Sequence, residues 1–272
     1  MNFIEKIITF LDSQMTTPTL YGWFHLLWLA ITAAASALAW KFGPKLSKKQ
    51  VDNIVLITAI VVTVLEIYKQ INYTFTVGEN GINASYSWYA FPFQFCSTPM
   101  YAGLLAGIFR KDKFHDFLCA YLSTFAVFAG LAVMVYPGDV FVGTIGINIQ
   151  TMICHGSMLP IGVLLFSSGR TKAEFKTLLK ACCVFSVALA LACVMNEIAH
   201  LTGLLENHNF NMFFVSPYCD PSLPVYSLVQ QVVPFPLSLI IYIVGFTIAA
   251  YLMMLLPMLG LRKRAKKNTL VH

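Results

Sequence analysis

Two residues able to do nucleophilic chemistry lie inside apolar segments of the chain. These are Cys96 and His155. A thiolate attacks carbonyl carbon well, but a thiol in apolar surroundings ionises poorly and needs a base close by. An imidazole is the commonest such base. The pair therefore predicts a cysteine nucleophile activated by a histidine; the alternative is that Cys96 is only a small buried apolar side chain, which is common for cysteine.

Further polar residues accompany this pair near the same ends of their apolar segments. At 1.5 Å per helical residue, Cys96 and His155 lie roughly 10 Å below the outer ends of their segments. Polar side chains in hydrocarbon mark cavities or chemistry, so we expect the set to face one water-filled pocket. The alternative is that pairs spaced three residues apart neutralise each other on one helix face. The supporting residues are His25, Glu66, Lys69, Gln94, Asn196, Glu197 and His200.

Two roles in this pocket could each be filled by more than one residue. Glu66, Glu197 or Gln94 could orient the imidazole of His155 as the third member of a triad. Gln94 is two residues from Cys96, which on a regular helix turns it about 200° away. Asn196 or Lys69 could stabilise a developing oxyanion.

Metal and cofactor chemistry are not expected. The chain contains no CxxC, HxxxH or HExxH pattern. Cys154 and His155 are adjacent, so on a helix they point about 100° apart and cannot easily share an ion. The last apolar segment contains no lysine that could bind retinal as a Schiff base.

Composition places the chain in a membrane. Hydrophobic residues make up 58% and charged residues 11% of 272, and the mean hydropathy is +0.71. A helix needs about 20 apolar residues to cross the hydrocarbon. We therefore predict an all-α, polytopic membrane protein that forms one transmembrane domain over residues 1–272, a bundle of seven helices. The predicted spans are residues 20–40, 51–72, 90–109, 114–136, 147–168, 177–200 and 236–260.

Basic residues alternate between the connecting segments. Lysine and arginine follow the first, third, fifth and seventh spans, and the other three loops contain neither. Basic loops stay in the cytoplasm, so the N-terminus is predicted outside and the C-terminus inside. The net charge of +6 then reflects topology and not binding of nucleic acid.

The connecting and terminal segments carry weaker signals. Residues 1–19 have apolar positions at helical spacing and no signal-peptide pattern, which predicts an interfacial helix. The outer loop 201–235 is long and interrupted by prolines, and its segment 212–215 is either a lid or part of an ordinary loop. Of the seven cysteines, the six inside predicted spans are predicted to be free thiols, and only Cys219 lies in an outer loop, so no disulfide framework is expected.

The third span carries a family resemblance. The phrase Phe-Pro-Phe-Gln-Phe-Cys-Ser-Thr-Pro-Met-Tyr around Cys96, followed by His155 in Cys-His-Gly, resembles the bacterial YwaF-type membrane proteins and their eukaryotic relatives, the transmembrane protein 164 family. The resemblance covers nearly the whole chain and includes His25, Glu66 and the Asn196–Glu197 pair. It implies a cysteine-dependent acyltransferase acting on phospholipids, with Cys96 as nucleophile and His155 as base. Gln94 departs from the family pattern, which leaves the orienting group open.

Residues and resemblance together predict a membrane-embedded, thiol-dependent acyltransferase near the outer leaflet. Its partners would be a phospholipid or lysophospholipid substrate and the lipid bilayer, in a bacterial plasma membrane. Distant kin with a threonine and histidine pair imply a lipid ester hydrolase as one alternative. A transporter or small-ligand receptor using the same pocket is another.

Overall fold

The protein is almost entirely helical. The computed structural model describes residues 1–138, 140–203, 210–220, 223 and 225–269, with side chains described as far as Leu261. A short antiparallel hairpin, β1 (Phe75–Gly78) and β2 (Gly81–Ala84), lies between α3 and α4. The helices are α1 Phe3–Leu11, α2 Trp23–Phe42, α3 Lys48–Asn72, α4 Thr98–Ile108, α5 Lys113–Ser123, α6 Phe125–Val135, α7 Ile145–Ser167, α8 Phe175–Thr202, α9 Tyr226–Val232 and α10 Phe235–Thr269.

The chain is a multi-pass membrane protein. Within the described ranges, six helical segments are long and apolar enough to cross a bilayer. One of the six joins α5 and α6, whose shared axis breaks at Thr124 (φ −128°, ψ −81°). The hydroxyl of Thr124 donates to the Ala120 carbonyl at 2.7 Å, so the break keeps its polar groups paired.

The third predicted span, residues 90–109, differs from the expectation. Only α4 is helical there, and the backbone before it is extended or forms turns. Pro99 lies in the first turn of α4, where a proline favours the start of a helix. Cys96 therefore lies in a turn just before α4. The depth of Cys96 and the direction of the Gln94 side chain were both derived from a continuous helix, so neither value applies.

Hydrogen bonds show that the connecting segments lie at two opposite ends of the bundle. At one end, Tyr68 at the end of α3 donates to the Leu11 carbonyl at 2.7 Å, and Gln14 pairs with Thr144 before α7. At the other end, Arg110 after α4 donates to Asn53 at 2.6 Å. This arrangement agrees with the alternation of basic loops, while the side of the membrane on which each terminus lies stays a prediction.

Helix α1 has the apolar outer surface expected of an interfacial helix. Phe3 is 77% exposed and Phe10 is 76% exposed, whereas Ile8 is buried. Asn2 and Glu5 form a capping box that starts the helix. The position of α1 on a membrane surface stays a prediction.

Candidate functional site

Cys96 lies in a tight turn at the start of α4. Its neighbours close the turn by backbone bonds, in which the Ser97 N–H donates to Gln94 at 2.8 Å and the Met100 N–H to Ser97 at 3.2 Å. The thiol is half-buried and forms no disulfide. Because the N-terminus of a helix carries partial positive charge, this position offsets part of the penalty that burial places on a thiolate.

His155 has one ring nitrogen fixed and one unpaired. On α7 its Nδ1 lies 2.8 Å from the carbonyl oxygen of Thr151. A carbonyl only accepts, so Nδ1 must carry the proton and Nε2 must present its lone pair. Nε2 is buried and has no hydrogen-bond partner among the described residues. This is the tautomer that a general base requires.

The predicted contact between Cys96 and His155 is not present as a hydrogen bond in the described part of the chain, because Nε2 has no partner there. The expectation that a side chain of Glu66, Glu197 or Gln94 orients the imidazole is wrong in this structure, since a main-chain carbonyl does so. A backbone acceptor within the same helix turn could not have been recognised from residue types. The catalytic roles of Cys96 and His155 stay predictions.

Glu66 is the centre of a polar network at the outer end of α3. One carboxylate oxygen lies 2.7 Å from the Lys69 ammonium and accepts from Gln70 at 2.6 Å. The other oxygen accepts from Gln150 of α7 at 3.1 Å. The pairing of Glu66 with Lys69 is the neutralising alternative considered from the sequence, and the described contacts of Glu66 do not include His155.

This network also reaches the irregular segment that carries Cys96. Gln70 donates to the Ala90 carbonyl at 3.0 Å and accepts from the Tyr86 hydroxyl. Burial and then the negative charge of Glu66 raise the pKa of Tyr86, so its phenol stays protonated and acts as a donor.

Gln94 holds a loop inside the bundle. Its amide nitrogen donates to the Asn211 carbonyl at 2.9 Å and its oxygen accepts from the Phe213 N–H at 2.9 Å. The loop, residues 210–216, which we name the inserted loop, is almost wholly buried. Gln94 is therefore a support of this loop, and its two polar atoms are already used.

Asn196 holds the same loop from α8. Its side chain donates to the Met212 carbonyl at 3.0 Å and accepts from the Met212 N–H at 2.8 Å. The Tyr242 hydroxyl of α10 donates to the Phe213 carbonyl at 3.0 Å. The segment 212–215, expected to be either a lid or an ordinary loop, packs within the protein core.

Three of the predicted polar residues have local partners of their own, and neither Cys96 nor His155 lines either of the two cavities found beside α3. His25 is fully buried, accepts from the Tyr21 N–H at 3.0 Å and donates to the Met134 carbonyl at 2.7 Å. Glu197 accepts from the Tyr218 hydroxyl at 2.8 Å. The ring of His200 stacks on that of Tyr218 at 3.5 Å. The polar layer is thus divided into separate groups, because each residue finds its own local partners.

A cavity opens beside the Glu66 network. It has a volume of about 390 Å³ and lies between the outer half of α3, the start of β1 and the beginning of α4. We name it the outer groove; its walls include Thr63, Glu66, Gln70, Pro92, Met100 and Tyr101. Ile67, on its rim, is 55% exposed on the surface that would face lipid. The groove is therefore accessible from the side of the bundle.

The comparison with protein families gives a direct result. The model of the TMEM164 family matches residues 20–256. The chain belongs to the TMEM164 family. No curated protein and no solved structure matched it.

The match to the TMEM164 family includes every residue named above as a candidate for chemistry. It begins after α1 and extends through most of α10. The matched range contains the segment around Cys96, the α7 helix with His155 and the inserted loop. Family membership by itself assigns no activity to these residues.

This TMEM164-family chain also contains a buried charge cluster that the sequence analysis missed, at the end opposite Cys96. Asp52 of α3 lies 2.8 Å from the Arg170 guanidinium and 3.2 Å from Nε2 of His115. The Cys119 sulfur lies 3.3 Å from Nδ1 of His115. The sequence signal for this cluster was an acid, Asp52, and an imidazole, His115, each near the end of a predicted span.

No cluster of three or more His, Cys, Asp or Glu side chains suited to a metal ion occurs within the described ranges. The cluster around Asp52 instead joins α3, α5 and the loop before α8 by charge-assisted hydrogen bonds. Its role is to fix the inner ends of these elements.

Proposed function

We propose that this protein transfers acyl groups from phospholipid or lysophospholipid esters at the outer leaflet of a plasma membrane, with Cys96 as nucleophile and His155 as base. The observation that carries the proposal is the unpaired Nε2 of His155. Leaving a buried polar atom without a partner costs about 1–3 kcal/mol. Such a cost is understandable if the lone pair is reserved for a proton that arrives during a reaction.

The first half-reaction would form an acyl-enzyme. Nε2 of His155 takes the thiol proton, the Cys96 sulfur attacks the ester carbonyl carbon, and the carbon–oxygen bond to the glycerol breaks. The imidazolium returns the proton to the departing alkoxide, which leaves as a lysolipid alcohol. The sulfur must first approach Nε2, so productive binding requires a shift of the turn that carries Cys96.

The second half-reaction would regenerate the thiol. His155 removes a proton from the hydroxyl of an acceptor lysolipid, whose oxygen attacks the thioester carbonyl and displaces the thiolate, which regains a proton from the imidazolium. Water in place of the lysolipid gives a hydrolase with the same residues. The two outcomes differ only in the acceptor.

The surroundings of Cys96 support this chemistry in two ways. The N-terminus of α4 partly offsets the cost of negative charge at the buried sulfur and at an oxyanion formed beside it. The outer groove, which is lined by Met100 and Tyr101 of the helix that follows Cys96 but not by Cys96 itself, opens to the side of the bundle, where a membrane lipid arrives. Its volume of about 390 Å³ falls within the range of small-molecule sites.

Incubation of the purified protein with a phospholipid, followed by mass spectrometry, tests the proposal. We expect a thioester adduct on Cys96 and acyl transfer to added lysolipid in the wild type, and neither in Cys96→Ala. Cys193→Ser, which alters a half-buried thiol of α8, is the matched control and should keep both. Full transfer activity in Cys96→Ala would end the proposal. Release of free fatty acid in place of transfer would select the hydrolase.

A further inference from the structure

The irregular segment before α4 depends on side chains for part of its hydrogen bonding. Residues 91–97 form bends and turns, although a span in hydrocarbon normally pairs its backbone groups along a helix. The Tyr101 hydroxyl donates to the Pro92 carbonyl at 2.8 Å. The Thr98 hydroxyl donates to the Phe95 carbonyl, also at 2.8 Å. Side chains of α4 therefore help to fix the turn that leads into this helix.

The bond from Thr98 fixes the peptide group next to the proposed nucleophile. The Phe95 carbonyl and the Cys96 N–H belong to one planar peptide unit. Holding the carbonyl oxygen therefore fixes the orientation of the peptide plane that leads to Cα of Cys96. Because Thr98 follows Cys96 by two residues, its hydroxyl links the backbone before the cysteine to the backbone after it.

A second hydroxyl, from Tyr121 of α5, bonds to Thr98. The Tyr121 hydroxyl lies within hydrogen-bond distance of Oγ1 of Thr98. Thr98 uses its only hydroxyl proton on the Phe95 carbonyl, so the Tyr121 hydroxyl is the donor to Thr98. Two consecutive bonds thus connect α5, through Thr98, to the peptide group before Cys96.

Tyr121 is itself held firmly. Its side chain is fully buried, and its ring stacks on that of Phe125 at 5.9 Å. The Phe125 ring in turn stacks on Phe185 of α8 at 4.5 Å. The neighbours Ala120 and Leu122 are buried as well. A side chain that is packed on all sides has little room to change rotamer, so its hydroxyl is a fixed point for the turn.

Neither Thr98 nor Tyr121 lines the two cavities beside α3. We therefore assign them no contact with a substrate. Each hydroxyl pays a desolvation cost when it is buried, and a neutral hydrogen bond returns only a modest net stabilisation. The benefit of burying this pair is the fixed position of the turn.

We infer that Tyr121 is a positioning residue for Cys96 and acts through the Thr98 hydroxyl. The inference rests on the proposed function and adds to it the residue that sets the place of the nucleophile. The turn that must shift towards His155 then moves as one unit anchored at α5. Without the two hydroxyl bonds the sulfur takes up several positions, and fewer of them are productive.

Three substitutions test this role through the kinetics of acyl transfer. Tyr121→Phe and Thr98→Val each remove one hydroxyl and keep the size of the side chain, whereas Thr98→Ser keeps the hydroxyl. We expect kcat to fall at least tenfold in the first two variants with KM within twofold of the wild type, because the nucleophile is displaced and the substrate site is not. Thr98→Ser should retain at least half of the wild-type kcat.

Tyr226→Phe is the matched control. It removes another buried tyrosine hydroxyl, which pairs with Ser238 at 3.2 Å, and should leave kcat as in the wild type. An unchanged kcat in Tyr121→Phe would overturn the inference. An equal loss of kcat in Tyr226→Phe would overturn it too, because the loss would then follow from removing any buried hydroxyl.

A second measurement does not require catalysis. The purified proteins in detergent would be treated with iodoacetamide, and alkylation of Cys96 would be followed by mass spectrometry relative to Cys193, a half-buried thiol of α8. We expect Cys96 to react at least threefold faster in Tyr121→Phe and Thr98→Val, because a loosened turn exposes the thiol, and at the wild-type rate in Thr98→Ser. Equal rates in all variants would overturn the inference even if the wild type transfers acyl groups. These differences in a wild type without transfer activity would remove the proposed function and keep the anchoring of the turn by Tyr121.

Discussion

His155 and His25 show how the environment of one side chain separates a structural from a reactive role. Both are buried histidines near the same end of the bundle. His25 uses both ring nitrogens, one with Tyr21 and one with Met134. His155 uses one, and its Nε2 stays unpaired. The residue types were visible in the sequence, but this difference depends on neighbours that only the fold brings together.

The two histidines should respond oppositely to replacement by methionine. His155→Met removes an unpaired buried nitrogen, so we expect an unfolding midpoint in detergent equal to or above that of the wild type. Acyl transfer should fall by about a hundredfold or more, since a general base is lost. A large drop in the unfolding midpoint would identify His155 as structural.

His25→Met is the matched control. It leaves the Tyr21 N–H and the Met134 carbonyl without partners, which costs about 2 kcal/mol. We expect a lower unfolding midpoint for this variant, with transfer activity per folded molecule retained. Thermal unfolding followed by intrinsic fluorescence measures both changes.

At the scale of elements, the inserted loop depends on a few side-chain amides. Phe213 and Phe214 have φ values of 59° and 56°, a left-handed conformation that is rare outside glycine and costs of order 1 kcal/mol or more each. Gln94 and Asn196 hold the backbone beside these residues. The strained loop is therefore kept in place from two different elements.

Replacing Gln94 by Ala should loosen this loop. The buried Phe213 N–H loses its partner, at a cost of about 1–3 kcal/mol, and the Asn211 carbonyl keeps only the Phe214 N–H at 3.3 Å. We expect hydrogen–deuterium exchange at residues 211–215 to accelerate by tenfold or more. Glu197→Ala, which removes only a surface contact to Tyr218, should leave exchange there unchanged. Similar exchange in both variants would mean that Gln94 does not support the loop.

The buried charge cluster around Asp52 is a second feature that holds separate elements together. Asp52→Asn leaves the guanidinium of Arg170 without its buried partner and should destabilise the protein by about 3 kcal/mol. Asp116 is half exposed and pairs with Lys180 at 3.1 Å and, more distantly, with Arg170 at 3.9 Å, so Asp116→Asn should cost less than about 1 kcal/mol. Unfolding midpoints of the two variants in detergent provide the comparison. Equal midpoints would show that the cluster adds no stability.

At the scale of the whole molecule, apolar length and charge alternation predicted most of the architecture. Six of the predicted spans correspond to long apolar helical segments, and the connecting segments lie at the expected ends. The third span was predicted as a full helix because its composition is apolar throughout. Pro92, Pro99 and the pairing of Gln94 with the inserted loop replace its outer half by turns. Contacts between segments distant in sequence, such as these, are not encoded in local periodicity.

The sidedness of the molecule can be measured by cysteine labelling. Asn80→Cys lies at the turn between β1 and β2, and Glu174→Cys lies in the loop before α8. The basic loops predict that a membrane-impermeant maleimide labels Asn80→Cys in intact cells and labels Glu174→Cys only after permeabilisation. Labelling of each variant would be compared with labelling of the wild-type protein, whose own cysteines give the background. The reverse pattern would invert the proposed topology and place Cys96 near the inner leaflet.

The sideways opening of the outer groove, with Ile67 on its rim, determines how such a protein would meet its substrate. A lipid diffusing in the plane of the bilayer reaches the groove without leaving its leaflet. Turnover should then follow the mole fraction of substrate in the membrane and not its amount per volume of buffer. Diluting the substrate with inert lipid would slow the reaction, and diluting the whole suspension with water would not.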